Sequence, residues 1–171
     1  NNIQIINNKH TFGELDFILY DKKKDKYLHI EHVYKFYVYD DSFENEIDRF
    51  ISPNRDDTLV KKISKLKKKQ LPLLYKKETQ EYLEGININS FEQKICFKGH
   101  IYVPLRLLNK HIPIVDNCSI SGFYLNREEF VKDKSFRKLE YFLPHRFDWV
   151  SDCNTNKIWG PYNEAVDEID F

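Results

Sequence analysis

No methionine occurs in the 171 residues, and glycine (5), proline (6), cysteine (3) and tryptophan (2) are all sparse. The shortage of glycine and proline leaves no low-complexity linker, and no internal repeat is visible. The three cysteines, Cys96, Cys118 and Cys153, are far apart and odd in number, with no C-x-x-C or Cys/His ligand spacing. That pattern excludes a zinc-ligand motif and a disulfide framework, and free thiols in a cytoplasmic protein are the expectation. No apolar run approaches the ~18–20 residues that cross a bilayer, and no secretory signal opens the chain, so no membrane role is expected. Net charge is absent too, with 27 Lys+Arg against 27 Asp+Glu. Dedicated nucleic-acid binders are usually basic, so this balance weighs against such a role. Lacking Met and beginning Asn1-Asn2, the sequence is expected to be a piece of a longer chain.

What is present is a core-building composition: 41% hydrophobic residues and 15% aromatics. The length fits one domain with an appendage. Ile3–Ile6 reads as a short strand, and Asn7-Asn8-Lys9 as a turn. Glu14 to Tyr20 alternates with period two, as does Tyr27 to Tyr39, and the polar run Asp21–Lys26 joins them. On the second strand, Leu28, Ile30, His32, Tyr34, Phe36 and Val38 form the apolar-leaning face. His29, Glu31, Val33, Lys35 and Tyr37 form the other. Residues 40–54 read as a loop. A helix is expected from about Arg55 to Gln70, with Asp56 and Asp57 at its positive end and Leu59, Ile63 and Leu66 as its stripe. Pro72 ends or kinks it. Further elements are expected at Lys76–Glu84 (helix), Phe91–Leu105 (one or two strands) and Ile120–Leu125 (strand). Short helices are expected at Arg127–Lys132 and Phe136–Phe142, followed by a packed aromatic stretch, Pro144–Trp149.

The chemistry concentrates in the hairpin. If 21–26 is a symmetric turn, paired residue numbers sum to 47, and Asp16 faces Glu31, with Glu14 and Lys35 diagonal on the same face. Opposed carboxylates destabilise a sheet unless a cation or a raised pKa relieves them. Mg²⁺ (or Mn²⁺), a hard ion that takes one or two carboxylates plus water and phosphate, answers that need. The alternative is an ordinary solvated face. A one-residue slip would separate the acids. Gln70, a polar residue on an apolar stripe, needs a partner: either helix-end backbone or the carboxylate cluster. Lys62 stands at a neighbouring angle, suited to a phosphate. Lys61, Lys65 and Lys67–Lys69 spread over the outer helix face. His29 is either a packed histidine or a further ligand.

The blocks Gly13-Glu14-Leu15-Asp16-Phe17, His29-Ile30-Glu31 and Lys35-Phe36-Tyr37 resemble a bacterial family of unknown function assigned to the PD-(D/E)xK nuclease-like superfamily. So do Asp57-x-Leu59-x-x-Lys62-Ile63-x-x-Leu66 with Gln70-Leu71-Pro72-Leu73, and Gly99–Pro104. The likeness continues through Ile120–Leu125 and Leu143–Trp149. The resemblance implies an α/β fold with a restriction-endonuclease-like core, a mixed β-sheet flanked by helices, over residues 1–151. A C-terminal tail, 152–171, would follow, and a helical region would precede the first strand. It also implies Asp16 as the first acid and Glu31 as the acid of E-x-K. The sequence departs from that motif: Val33 holds the Lys position and Lys35 comes two residues later, about 6.7 Å further along the strand.

Two functional expectations follow. One is a Mg²⁺-dependent phosphodiesterase acting on DNA or RNA, with catalytic residues Glu14, Asp16, Glu31, Lys35 and Gln70. Asp16 and Glu31, assisted by Glu14, would hold the metal, and Lys62 would touch phosphate. The other is a catalytically inactive module of the same fold that binds nucleic acid or protein.

Overall fold

The computed structural model describes residues 2–83, 85–144, 148 and 158–169. Packing divides the chain into two units, Asn1–Phe123 and Tyr124–Phe171. No helix among the described residues is long and apolar enough to cross a membrane.

In the first unit, β1 (Ile3–Asn7) and β2 (His10–Leu15) form a separate antiparallel pair. The main sheet runs β3 (Phe17–Asp21), β4 (Lys26–Tyr39), β6 (Phe91–Pro104), β7 (Ile120–Tyr124), with β5 (Phe50–Ile51) added to the end of β4. The β3–β4 hairpin is antiparallel in the expected register, Phe17 opposite Ile30 and Tyr20 opposite Tyr27. β4 and β6 are parallel, from Tyr27 beside Phe91 to Val38 beside Tyr102. Such a pair needs a crossover. Here it contains α1 (Leu59–Lys65), a π-helical turn (Leu66–Gln70), α2 (Leu71–Leu73) and α3 (Lys77–Tyr82). The result is an α/β fold with a mixed open sheet and flanking helices.

Several expected boundaries shift for local reasons. The strand expected over Glu14–Tyr20 breaks at Asp16, a bend between β2 and β3. Glu14 therefore pairs with Gln4 in the small sheet rather than with the hairpin. The crossover helix starts at Leu59, not Arg55, because the Thr58 side chain caps it by accepting from the Lys61 N–H, while Arg55 holds a left-handed φ of 59°. Pro72 does not end the helical run. It lacks the N–H that would bond Lys68 and its ring crowds that carbonyl, and the chain relaxes into the π turn just before it. The loop expected at 40–54 contains a 3₁₀ turn, Glu46–Arg49, and β5.

The buried face of β4 is the one that carries His29 and Glu31, not the apolar-leaning one. His29, Glu31, Val33, Tyr37 and Tyr39 are buried, whereas Leu28, Ile30, Tyr34, Phe36 and Val38 are half-buried or exposed. The crossover decides this, because its leucines pack on the odd-numbered side. Leu73 and Leu74 join Ile5, Leu15, Leu83 and Phe91 in one cluster, against which Ile18 and Tyr27 pack. Leu59 packs on a second cluster of Tyr37, Tyr39, Phe50, Ile101, Val103 and Ile112. Between these clusters, on the same face, lies a band of polar residues.

In the second unit, α4 (Arg127–Lys132) opens with a capping box between Asn126 and Glu129. The helix expected at Phe136–Phe142 is instead a 3₁₀ turn, Lys134–Lys138, running into β8 (Glu140–Tyr141). β8 pairs with β9 (Gly160–Pro161), and α5 (Tyr162–Ile169) follows, so part of the expected tail is helical. Tyr162 packs against Phe130 with ring centroids 5.1 Å apart. Most of Pro144–Trp149, together with Cys153, lies outside the described residues.

Gly13 ties the small sheet to the crossover. Its φ of 154° is one that side chains rarely adopt, and a Cβ there would sit 2.7 Å from a Leu73 methyl. Gly13→Ala is therefore expected to lower the unfolding free energy by about 1–3 kcal/mol, read from the urea midpoint.

Candidate functional site: a buried carboxylate at a gap in the core

Glu31 is fully buried at the centre of β4. A buried carboxylate is tolerable only when bonded, and each of its oxygens accepts one hydrogen bond. His29 Nε2 lies 2.8 Å from Oε1, and Gln70 Nε2 donates to Oε2 at 2.6 Å. Gln70 Oε1 in turn accepts from Lys62 Nζ at 3.2 Å. On the far side, Gln93 Nε2 donates to the Leu71 carbonyl at 2.8 Å and lies 2.9 Å from His29 Nδ1. A carbonyl can only accept, so the Gln93 amide is oriented with its nitrogen toward both groups, and His29 Nδ1 accepts. The bonding pattern therefore assigns the ring proton to Nε2, where it is donated to Glu31. Donation runs from Gln93 through His29 on one side and from Lys62 through Gln70 on the other, so Glu31 receives from both sides.

Each part has a local cause. Strand alternation puts His29 and Glu31 on one face of β4. The parallel register sets Gln93 beside His29. The π turn carries Gln70, expected either at the helix end or at the carboxylates, to Glu31. Such turns inside helices often occur at functional positions.

Asp16 sits at the bend that precedes β3, and its Oδ2 accepts from the backbone N–H of His32 at 2.7 Å. This ties Asp16, one residue before the last hairpin pair, Phe17–Ile30, to β4 at His32. Lys35 does not turn toward Glu31. Its Nζ pairs with Asp57 Oδ2 at 3.0 Å. Asp57, expected as a favourable helix-start charge, is thus the partner of the hairpin lysine. Glu14 bonds Gln4 at 3.5 Å in the other sheet. The five expected catalytic residues thus divide. Glu31 and Gln70 are joined directly, Asp16 stands across the hairpin, and Lys35 and Glu14 have other partners.

Electrostatics link Lys62 to this site. Its pKa lies below the usual lysine value, chiefly through burial and then through the like charges of Lys65 and Lys35, while Asp16 and Glu31 pull it the other way. Tyr37, buried on the same face of β4, is pushed up to about 12 by burial and by Asp57. Its hydroxyl has no hydrogen-bond partner among the described residues.

The expected Mg²⁺ site fits only in part. No group of three or more His, Cys, Asp or Glu among the described residues could hold a metal, so there is no cage of Glu14, Asp16 and Glu31. Of the three expected donors, Glu14 bonds Gln4 in the other sheet, which leaves the carboxylates of Asp16 and Glu31. Hard oxygens of that number suit Mg²⁺, which completes its shell with water and phosphate.

The fold and site define a mixed-sheet α/β protein built around a buried, multiply bonded glutamate. The chain belongs to the family described as a domain of unknown function (DUF1853), which it matches over residues 1–168. Searches of curated proteins and of solved structures gave no match.

Replacing Gln70 by Leu strands a buried Glu31 oxygen and removes the acceptor of Lys62. The expected cost is about 2–3 kcal/mol in denaturant unfolding, whereas an outer-face substitution such as Lys68→Ala stays within about 0.5 kcal/mol. A cost for Gln70→Leu as small as the outer-face one would show that the network is not what holds Glu31. For Tyr37 the sign is that of an acid whose folded pKa is raised. Its contribution to stability is fully present below the unfolded value of about 10 and is lost as pH rises through about 12. A Tyr37→Phe variant should lose the last-ionising component of the ultraviolet phenolate titration.

Proposed function

We propose that this domain is a Mg²⁺-dependent phosphodiesterase acting on DNA or RNA, with a PD-(D/E)xK-like core. The observation that carries the reading is the Lys62–Gln70–Glu31–His29 chain across the hairpin from Asp16. An acid hairpin followed by a helical crossover and a parallel strand also accords with the core that the hairpin and helix motifs imply.

In this reading Asp16 and Glu31 would hold the metal, which would supply polarisation of a phosphoryl oxygen and a more acidic attacking water. His29 and Gln70 fix the Glu31 carboxylate and act as positioning residues. Lys62 supplies the cation that the motif's missing strand lysine would have supplied. It reaches the Glu31 corner from the helix, is held by Gln70, and can stabilise charge on a phosphate. Lys35 stands further along the strand. Its ion pair with Asp57 is partly exposed (38% and 29%), so it is weak and exchangeable for a phosphate oxygen. Hydrolysis forms one P–O bond from water and breaks one P–O bond of the backbone. The water proton ends on solvent or on the leaving oxygen.

A second reading, a non-catalytic module of the same fold, is favoured by one observation: both Glu31 oxygens already accept hydrogen bonds. Cleavage assays separate the two. Single-stranded and duplex DNA and RNA are incubated with Mg²⁺ or Mn²⁺. Asp16→Asn, Glu31→Gln and Lys62→Met are each expected to lower the rate about 100-fold or more, and Lys35→Met by about ten-fold or less. A rate unchanged in Asp16→Asn would remove the site assignment. No cleavage of any substrate with either ion would leave the non-catalytic module.

A further inference from the structure

The strand next to Glu31 has an opening in its cover. On the face of β6 that adjoins Glu31, Phe91 is 9% exposed and Ile101 and Val103 are 3% and 0%, but Ile95 and Phe97 between them are 43% and 36% exposed. The parallel register sets Ile95 beside Glu31, Phe97 beside Val33 and Gly99 beside Lys35. Val33 is 2% exposed, yet Ile95 and Phe97 are open one strand away, about 4.8 Å off. A Cβ built on Gly99 would lie 3.8 Å from the Phe97 ring, an ordinary contact, so that ring leans along the strand toward the Lys35 end. The result is an apolar floor about 13 Å long, at ~3.3 Å per residue. Its edge carries Lys62 and Lys35, whose like charges, with that of Lys65, bear on one another.

We propose that this floor is a stacking platform for unpaired bases, and hence that the nucleic acid taken by the site is single-stranded. The proposal rests on the nuclease reading for its choice of ligand. An exposed aromatic ring on a rigid interior strand gains most from a flat apolar partner. Bases inside a duplex already stack on one another and offer no free face, whereas an unpaired base does. Phe97 stacks a base, Ile95 supports it, and the adjoining phosphates lie along the Lys62–Lys35 edge. Phosphate there takes the place of the Asp57 carboxylate at Lys35. Clustered cations beside an apolar floor suit a polyanion with flat apolar groups better than an uncharged protein surface.

The test reads binding without turnover, in the Asp16→Asn protein with Mg²⁺ present, by fluorescence anisotropy of a short labelled oligothymidylate and of a duplex of the same length. The single strand is expected to bind more tightly. Adding Phe97→Ala weakens the single strand about ten-fold and leaves the duplex unchanged. Phe97→Trp retains binding, and oligothymidylate quenches the fluorescence that the new indole adds. Circular dichroism confirms that both variants are folded. Unchanged single-strand affinity in Phe97→Ala overturns the platform. So does duplex binding as tight as that of the single strand, or a Phe97→Ala variant that turns a dimer into a monomer in sedimentation, because a second copy would then be the cover. Failure of cleavage with intact, Phe97-dependent single-strand binding would sink the nuclease reading and leave the platform standing.

Discussion

The burial of one carboxylate organises this structure. Glu31 lies where a continuous hydrophobic core would otherwise run the length of β4, and it divides that core into a cluster around Leu73 and Phe91 and another around Tyr37 and Ile101. Ionised carboxylates are expelled from apolar surroundings unless their oxygens are bonded. Here the bonds come from three separate elements: β4 itself through His29, the π turn through Gln70, and, at one remove, β6 through Gln93. Strand, crossover and parallel neighbour must therefore all reach their places before Glu31 is satisfied. A network of this kind rigidifies its surroundings when complete and is costly when broken.

The same division creates the site. Two apolar clusters close the ends of the sheet face, and the polar band between them cannot be sealed by leucines. The cover thins over β6, and Ile95 and Phe97 are left open beside the buried glutamate. The lysines follow a related logic. The hairpin lysine is engaged by Asp57 and the helix lysine by Gln70, so the cation linked to Glu31 through Gln70 comes from the crossover rather than from the strand. The position of a charged group in space, and not its place in a linear motif, sets which phosphate it could meet.

Much of the hairpin was legible in advance. Alternation and a six-residue polar turn were enough for the register in which residue numbers sum to 47, because side-chain period and turn length are local properties. The bend at Asp16 was not legible. It arises where the chain leaves the small sheet for the large one, and no residue type there signals the break. The buried face of β4 was not legible, because both faces mix apolar and polar residues, and only the packing of Leu59, Leu73 and Leu74 decides between them. Gln93 and Asp57 carried no signal of their roles. Each becomes part of the site only through a partner far away in sequence, His29 for the one and Lys35 for the other.

Determined by the sequence alone were the hairpin, its register, and most of the polar residues from which the site is drawn. These follow from period, turn chemistry and composition, all of which act over a few neighbouring residues. Tertiary structure decided which of those residues meet. It sent Glu14 to another sheet, gave Lys35 to Asp57, brought Gln70 and Lys62 to Glu31 and opened the floor at Phe97. The physical reason is that burial and hydrogen-bond satisfaction are properties of an assembled core, whose parallel strands and crossover join positions that no local pattern connects.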